Sequence, residues 1–228
     1  MYKAKVLLAE DDLSLSFVIK DGLLDAGFEV THCTDGEAAW QKFQKKDFDI
    51  CLLDINMPVR DGFSLAKKIR QLSDVVPVIF LTAKSLEEDK IKGFQTGADD
   101  YITKPFSMKE LIMRMDVFLR RTKKIQSDAA EEYKLSTLRF AYNELKIYTE
   151  KEIIPLTQRE ADLLKFFANH INKILKREEV LLNVWGKDDY FLGRSMDVFI
   201  TKLRKYLKSD PKIALETIHG VGFRLQIN

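Results

Sequence analysis

The chain predicts a doubly wound, five-stranded parallel α/β sheet followed by a smaller α+β domain. Three observations carry that reading. Val6-Leu7-Leu8-Ala9, Ile50-Cys51-Leu52-Leu53 and Val78-Ile79-Phe80-Leu81 are continuous apolar runs, the pattern of strands covered on both faces. Helical spacing fills the gaps between them. From Tyr133 onward the pattern changes to short strands and turns, which fits an antiparallel sheet rather than further βα units.

In order, Lys5 to Ala9 reads as a first strand. A helix follows over Leu13 to Ala26, carrying apolar residues at Leu13, Phe17, Leu24 and neighbours in helical spacing, with Gly27 as its stop. Val30 to Cys33 is a short strand and Gly36 to Phe43 a helix. Next come the central strand ending at Asp54, a helix from about Phe63 to Leu72, and the strand Val78 to Leu81 delivering Thr82. A helix from about Leu86 to Thr96, a strand Tyr101 to Lys104, and a helix capped by Ser107 and reaching about Arg120 complete the half.

At 228 residues the chain suits two domains, and 46% hydrophobic content is enough for ordinary cores. No apolar run approaches the roughly 18 residues of a membrane span, and no signal-peptide pattern opens the chain. Cys33 and Cys51 both fall in predicted strands, as buried thiols of a reducing cytoplasm do. Residues 1–121 carry 18 Lys and Arg against 20 Asp and Glu, net −2; the remainder carries 19 against 15, net +4. That asymmetry points to a polyanionic partner for the second half.

Each predicted strand end delivers one polar group: the cluster Glu10-Asp11-Asp12, then Asp54, Thr82 and Lys104. Open α/β sheets keep their binding crevice at such ends. Carboxylates converging from two strands repel unless a cation holds them, and hard oxygen donors favour magnesium. A carboxylate nucleophile, a divalent ion, a hydroxyl and an ammonium are the parts that phosphoryl transfer to an aspartate requires. Neither GxGxxG nor GxxxxGK[ST] follows the first strand, which disfavours dinucleotide and P-loop chemistry.

LLAEDD, LLDINMPVRDG, VIFLTA and GADDYITKPF together resemble the receiver domain of bacterial two-component response regulators, a flavodoxin-like fold. The likeness spans nearly all of residues 3–121. It implies that Asp54 is the phospho-acceptor, phosphorylated by a sensor histidine kinase. Glu10 and Asp11 become the acidic pair, with Asp11, Asp54 and the Asn56 main-chain carbonyl ligating Mg²⁺; Asp12 is left outside the ligand set. Thr82 and Tyr101 resemble the switch pair, and Lys104 the phosphate-binding lysine before a Lys-Pro bond that is usually cis. On phosphorylation Thr82 would move toward the phosphoryl group, and Tyr101 would enter the vacated space from the surface. The resemblance also implies a two-fold homodimer face between about Leu86 and Arg120. Its apolar contacts would be Ile91, Phe94 and Met113, among the charges of Lys90, Asp99, Asp100, Glu110 and Arg114.

Residues 122–132 read as a linker that turns from basic to acidic, spanning roughly 20 Å as a flexible coil. It joins a domain over 1–121 to one over 133–228. In the latter, Leu135 to Phe140, Leu145 to Tyr148 and Glu152 to Ile154 are predicted strands, with a turn at Asn143-Glu144. Thr157-Gln158-Arg159-Glu160 is a capping box opening a helix that carries Leu163, Leu164, Phe166 and Phe167. A second helix covers about Arg177 to Trp185, closed by Gly186, with Trp185 in the core. Ser195 opens a third, in which Met196, Ile200, Leu203 and Leu207 form one stripe. Asp197, Thr201, Lys202, Arg204, Lys205 and Lys208 occupy its other faces, the charge pattern of a helix in a DNA major groove. Two strands around His219-Gly220-Val221-Gly222 make a hairpin beside it.

LTQREADLLKFFA, RSMDVFITKLRKYL and ETIHGVGFRL resemble the winged-helix output domain of the OmpR/PhoB subfamily, over about residues 133–227. By that likeness Ser195 to Lys205 enters the major groove of promoter DNA, with Thr201 and Lys202 reading bases and Arg194, Ser195 and Arg204 binding phosphates. Asp197 and Lys205 join that surface, and Lys187 to Gly193 resembles a loop that can touch RNA polymerase. Two positions depart from the family pattern. Phe199 stands where histidine is common, and is expected to touch a thymine methyl rather than a phosphate. His219 stands where an arginine usually reaches the minor groove, and should grip it less strongly. His32 and His170 read as ordinary structural histidines. The expectation is a cytoplasmic transcriptional regulator with no membrane partner and no enzymatic turnover. The rival is an aspartyl phosphohydrolase, disfavoured because Asn56 stands two residues after Asp54 where such enzymes carry a second aspartate.

Overall fold

The computed structural model describes residues 2–82, 96–124, 131–186 and 190–228, with side chains throughout these ranges except at 120–124 and 190–195. The chain divides into two compact units, Met1–Gln126 and Ser127–Asn228.

In the first unit, strands β1 (Lys5–Ala9), β2 (Glu29–Cys33), β3 (Ile50–Asp54), β4 (Val78–Thr82) and β5 (Asp100–Thr103) form one parallel sheet in the order β2-β1-β3-β4-β5. Helices α1 (Leu13–Asp25), α2 (Gly36–Phe43), α3 (Gly62–Leu72) and α4 (Met108–Lys124) accompany them. The expected helix over Leu86 to Thr96 lies almost wholly outside the described residues. β1, β3 and β4 are buried nearly end to end, which is why their sequences read as unbroken apolar runs.

Aspartates start three of the helices. Asp12, Asp35 and Asp61 accept hydrogen bonds from main-chain amides of the first turns of α1, α2 and α3, satisfying donors that a helix start leaves open. Ser107 does the same for α4 through the Glu110 amide, and α4 runs on to Lys124, four residues past its expected end.

Helix α1 buries the neighbours of the apolar residues that were named for it. Leu13 and Phe17 are 68% and 70% exposed, and Leu24 is exposed as well. The buried face is Ser16, Ile19 and Leu23, with Ile19 and Leu23 packed into a core that includes Val6, Leu8, Ile50, Leu52, Leu111 and Phe118.

The second unit begins with a four-stranded antiparallel sheet, β6 (Glu132–Leu135), β7 (Leu138–Ala141), β8 (Lys146–Tyr148) and β9 (Ile153–Pro155). Leu135 to Phe140, expected as one strand, is two strands joined at Ser136-Thr137, with Ser136 in the left-handed region at φ 53°. Helices α5 (Gln158–Ala168), α6 (Arg177–Trp185) and α7 (Tyr190–Leu207) follow. The two-residue strand β10 (Leu175–Lys176) and the hairpin β11 (Ile213–Ile218) and β12 (Gly222–Ile227) form a second sheet, ordered β10-β12-β11. Three helices and a hairpin beside the last of them make a winged helix-turn-helix.

The Thr157–Glu160 capping box is present in both directions, and Gly186 closes α6 in the left-handed region at φ 79°. Helix α7 starts by Tyr190 rather than at Ser195, so Tyr190 to Gly193, expected as loop, is helical; Lys187 to Asp189 lie outside the described residues.

Asp210, after α7, ties the two sheets' surroundings together. Its carboxylate accepts from the Thr137 hydroxyl at 2.6 Å, the Thr137 amide at 2.9 Å and the Lys212 amide at 2.9 Å. These bonds, the Thr137 hydroxyl first, hold its pKa well below the ordinary carboxylate range. A depressed folded-state pKa contributes stability that is present above the unfolded value, about 4, and is lost as pH falls toward the folded one. Asp210→Asn should therefore lower the Tm at neutral pH, while the difference from wild type narrows below about pH 4. Thermal melts between pH 7 and pH 3 check this; a difference constant with pH would exclude it.

Candidate functional site: an acid pocket and a cationic helix with its wing

The strand order puts β1 between β2 and β3, so the sheet reverses direction of build there, and the crevice lies beyond the carboxyl ends of β1 and β3. The register pairs Ala9 with Leu53, so the next residues, Glu10 and Asp54, leave the sheet side by side. Carboxylate oxygens of Glu10, Asp11 and Asp54 lie within 4.8 Å of one another. Lys104, one residue past β5, reaches across with its ammonium 2.7 Å from Glu10 Oε2 and 2.8 Å from Asp54 Oδ2. The Asn56 amide donates to Asp54 Oδ1 at 3.2 Å. The sequence-derived pocket residues therefore converge, and an all-oxygen donor set suits a hard divalent cation.

Burial pushes the Glu10 carboxyl up to about 7, opposed by its bond from Lys104 and assisted by the nearby Asp54 charge. Burial works against the Lys104 charge, but the two carboxylates outweigh it and hold its pKa above the ordinary value. The Asp12 carboxylate accepts from the Ser14 and Leu15 amides as the N-cap of α1.

Thr82 is buried at the end of β4 beside this pocket. Tyr101 is buried in this structure, its ring 5.3 Å from that of Phe80. His32, read as a structural histidine, has its Nε2 2.9 Å from the Glu10 carbonyl oxygen, where the acidic pair begins. Its particular partner could not be read from spacing, since the contact crosses between parallel neighbours. The Lys104-Pro105 bond is cis, as the resemblance implied.

Gly62, the first residue of α3, packs against the main chain of Asp54 and Ile55. Its amide donates to the Ile55 carbonyl at 2.9 Å, and a Cβ built there would stand 2.1 Å from the Asp54 carbonyl oxygen. Backbone cannot yield as a flexible side chain can, so Gly62→Ala should cost about 1–3 kcal/mol, the range of overpacking. Denaturant titration would measure it, and an unchanged midpoint would show that the loop adapts.

Of the expected dimer-face residues, Lys90, Ile91 and Phe94 lie outside the described residues. Asp99 belongs elsewhere: it is fully buried and accepts from Arg70 at 2.7 Å and from the Val78 amide at 2.9 Å, stapling α3 to the start of β4. Asp100 is also buried, bonded to Arg114 at 2.8 Å, and Arg114 binds Glu110 one turn away. Met113, 61% exposed, stands free on the same helix.

In the second unit, α7 buries Met196, Ile200, Leu203 and Leu207 as expected. Phe199 does not reach DNA: it is 0% exposed, its ring 5.8 Å from that of Trp185. Lys202 is also corrected. Its side chain is 23% exposed, with the ammonium 3.2 Å from the buried Glu160 carboxylate and over the Phe199 ring, so it serves the core rather than a base edge. The outward face carries Thr201, Arg204, Lys205 and Lys208, all exposed, with Asp197 half-buried and paired to Arg177 at 2.9 Å. His219 is exposed at the tip of the β11–β12 wing. The side chains of Arg194 and Ser195 are outside the described residues.

Comparison with known proteins decides the family. Residues 6–116 match the model of the response regulator receiver domain, and residues 150–225 that of the transcriptional regulatory protein C-terminal domain. The chain belongs to the OmpR/PhoB-type response regulators. Such proteins are DNA-binding transcriptional regulators, which is not an enzyme class, and receiver domains generally bind Mg²⁺ at an acidic pocket. The chain is 42% identical to the transcriptional regulatory protein RprY of Bacteroides fragilis (strain YCH46), covering 98% of this chain and 94% of the relative. It is 34% identical to the transcriptional regulatory protein TrcR of Mycobacterium tuberculosis (strain ATCC 25618 / H37Rv), covering 97% and 86%. Among solved structures it is similar to DrrB, an OmpR/PhoB homolog from Thermotoga maritima, with TM-score 0.51 and 28% identity over 99% of both chains. A RitR mutant matches with TM-score 0.75 and 25% identity over 99% of this chain and 100% of that one. These two domains imply a histidine kinase and DNA as partners. No helix among the described residues is long and apolar enough to cross a membrane.

Proposed function

We propose that this response regulator is phosphorylated on Asp54 by a sensor histidine kinase, and that the modification promotes homodimerisation and promoter binding. The observation that carries the reading is the meeting of Glu10, Asp11 and Asp54 oxygens within 4.8 Å, with Lys104 bonded to two of the three carboxylates. Asp11, Asp54 and the Asn56 carbonyl would hold Mg²⁺, with Glu10 beside them; the ion would neutralise phosphoryl oxygens. Asp54 supplies the nucleophilic oxygen, Lys104 an ammonium for the phosphoryl group, and Thr82 a hydroxyl. The phosphoaspartate adds negative charge at a buried strand end, and Thr82 and Tyr101 transmit the change.

In this reading residues 1–121 act as receiver and 133–228 as output domain, joined by a linker within 122–132, of which 122–124 continue α4 and Glu132 opens β6. Dimers would form across the face bearing Glu110, Met113, Arg114 and Asp100, together with Lys90, Ile91 and Phe94. Each dimer then meets two half-sites about one DNA turn apart. Arg194, Ser195, Asp197, Thr201, Arg204 and Lys205 would line the major groove, and His219 the minor groove. RNA polymerase is the further partner, met near residues 187–193. The protein works in the cytoplasm and turns over no substrate.

Selection of DNA from a random pool, with and without acetyl phosphate and Mg²⁺, tests this. Phosphorylation should tighten binding and enrich tandem repeats of one half-site; identical affinity and identical single sites under both conditions would overturn the switch.

A further inference from the structure

The recognition helix and the wing are separate elements, yet a DNA-binding surface built from both needs them at one fixed angle. One side chain that joins them by hydrogen bonds is Arg204. Its Nε donates to the Leu215 carbonyl at 2.7 Å, and its Nη2 donates to the Thr217 hydroxyl at 2.7 Å. Leu215 and Thr217 lie on β11, the strand that leads into the wing tip at His219. Both contacts come from one planar guanidinium, so they fix direction as well as distance.

The opposite flank of the hairpin is held by main chain. β12 pairs with β10 through Leu175↔Phe223 and Lys176↔Gly222, and Gly222 approaches so closely that a Cβ would stand 1.9 Å from the Leu175 carbonyl oxygen. Across the hairpin itself, Arg224 binds Glu216 at 2.8 Å. On that flank Arg177 adds a side chain, its guanidinium 2.9 Å from Asp197 of α7 and over the Phe223 ring, whereas at β11 Arg204 bonds the strand directly.

We propose that Arg204 is a positioning residue that couples major-groove and wing contacts, rather than only a cation facing a phosphate. The inference rests on the assignment of α7 and the wing to DNA. A phosphate contact alone needs positive charge, which lysine also provides. A bracket needs two donors in a fixed fork, which lysine does not provide. Without the bracket the wing would have to be ordered on binding, so whatever its tip contributes should fade. Contacts that act as a unit give non-additive effects, whereas independent contacts add.

The experiment is a double-mutant cycle on the full-length protein, using a duplex enriched by the wild-type protein from a random pool. Affinities are measured for wild type, Arg204→Lys, His219→Ala and the double variant, with Lys205→Ala as a separate reference for the helix. His219→Ala is expected to weaken wild-type binding several-fold, and to change the affinity of Arg204→Lys by less than about twofold, a coupling of the size that interacting residues show. Thr217→Val removes one arm of the bracket while keeping Arg204 and its charge, and should reduce the His219 effect in the same way; it serves if Arg204→Lys fails to fold. If His219→Ala costs the same in all three backgrounds, Arg204 is not a bracket. If neither His219→Ala nor Lys205→Ala weakens binding, the fault lies with the DNA surface itself, and the bracket falls with it.

Discussion

Asp54→Asn is expected to abolish phosphorylation from acetyl phosphate and Mg²⁺, by at least roughly a hundredfold, since removing a nucleophile costs far more than removing a supporting group. The amide keeps the carboxylate's shape but offers no anionic oxygen to attack phosphorus. The wild-type arrangement makes that oxygen available: Asp54 is buried at the end of β3, beside Glu10, and bonded to Lys104 at 2.8 Å. Lys104→Ala should reduce the rate without eliminating it, because it removes a charge from the phosphoryl group but leaves nucleophile and metal ligands in place. Chelation of Mg²⁺ should act on both proteins alike. Intact-mass measurement after incubation reads all three: a single phosphoryl addition of undiminished yield on Asp54→Asn would place the acceptor elsewhere.

Much of this pocket was legible because its residues sit at the ends of strands that are buried on both faces. Ile50 to Leu53 and Val78 to Leu81 have no solvent-facing positions, so composition alone marks them, and the first polar residue after each run marks the crevice. Amphipathic elements were harder. In α1, the apolar residues Leu13 and Phe17 are exposed while Ser16 is buried, because exposure of single apolar residues is ordinary and carries little signal. Between Leu135 and Phe140 three apolar residues concealed a turn that needs Ser136 at positive φ. In α7 the stripe was drawn too narrow. Phe199 lies three residues after Met196 and four before Leu203, inside the wider apolar arc of a helix packed in a globular core. Lys202 was misread because its partner, Glu160, is distant in sequence and first noticed as half of a capping box.

The same correction separates two lysines that the sequence treats alike. Lys205→Ala should weaken DNA binding by about 1–3 kcal/mol and relax selectivity at one base pair if Lys205 reads it, or lower the salt dependence by about one counterion if it meets a phosphate. It is exposed on the outward face of α7, so the fold should scarcely notice. Lys202→Ala should do the reverse. Glu160 is buried, and although its carboxylate still accepts from the Thr157 amide at 3.0 Å, it would lose the cation held 3.2 Å away. Leaving a buried charge short of its partner costs about 1–3 kcal/mol, several degrees of Tm for a domain of this size. DNA selectivity should stay that of wild type at temperatures where the variant is folded. Salt-dependent binding isotherms and thermal melts of the two variants, run side by side, distinguish them. A Lys202→Ala protein of wild-type stability but altered base preference would return Lys202 to the groove.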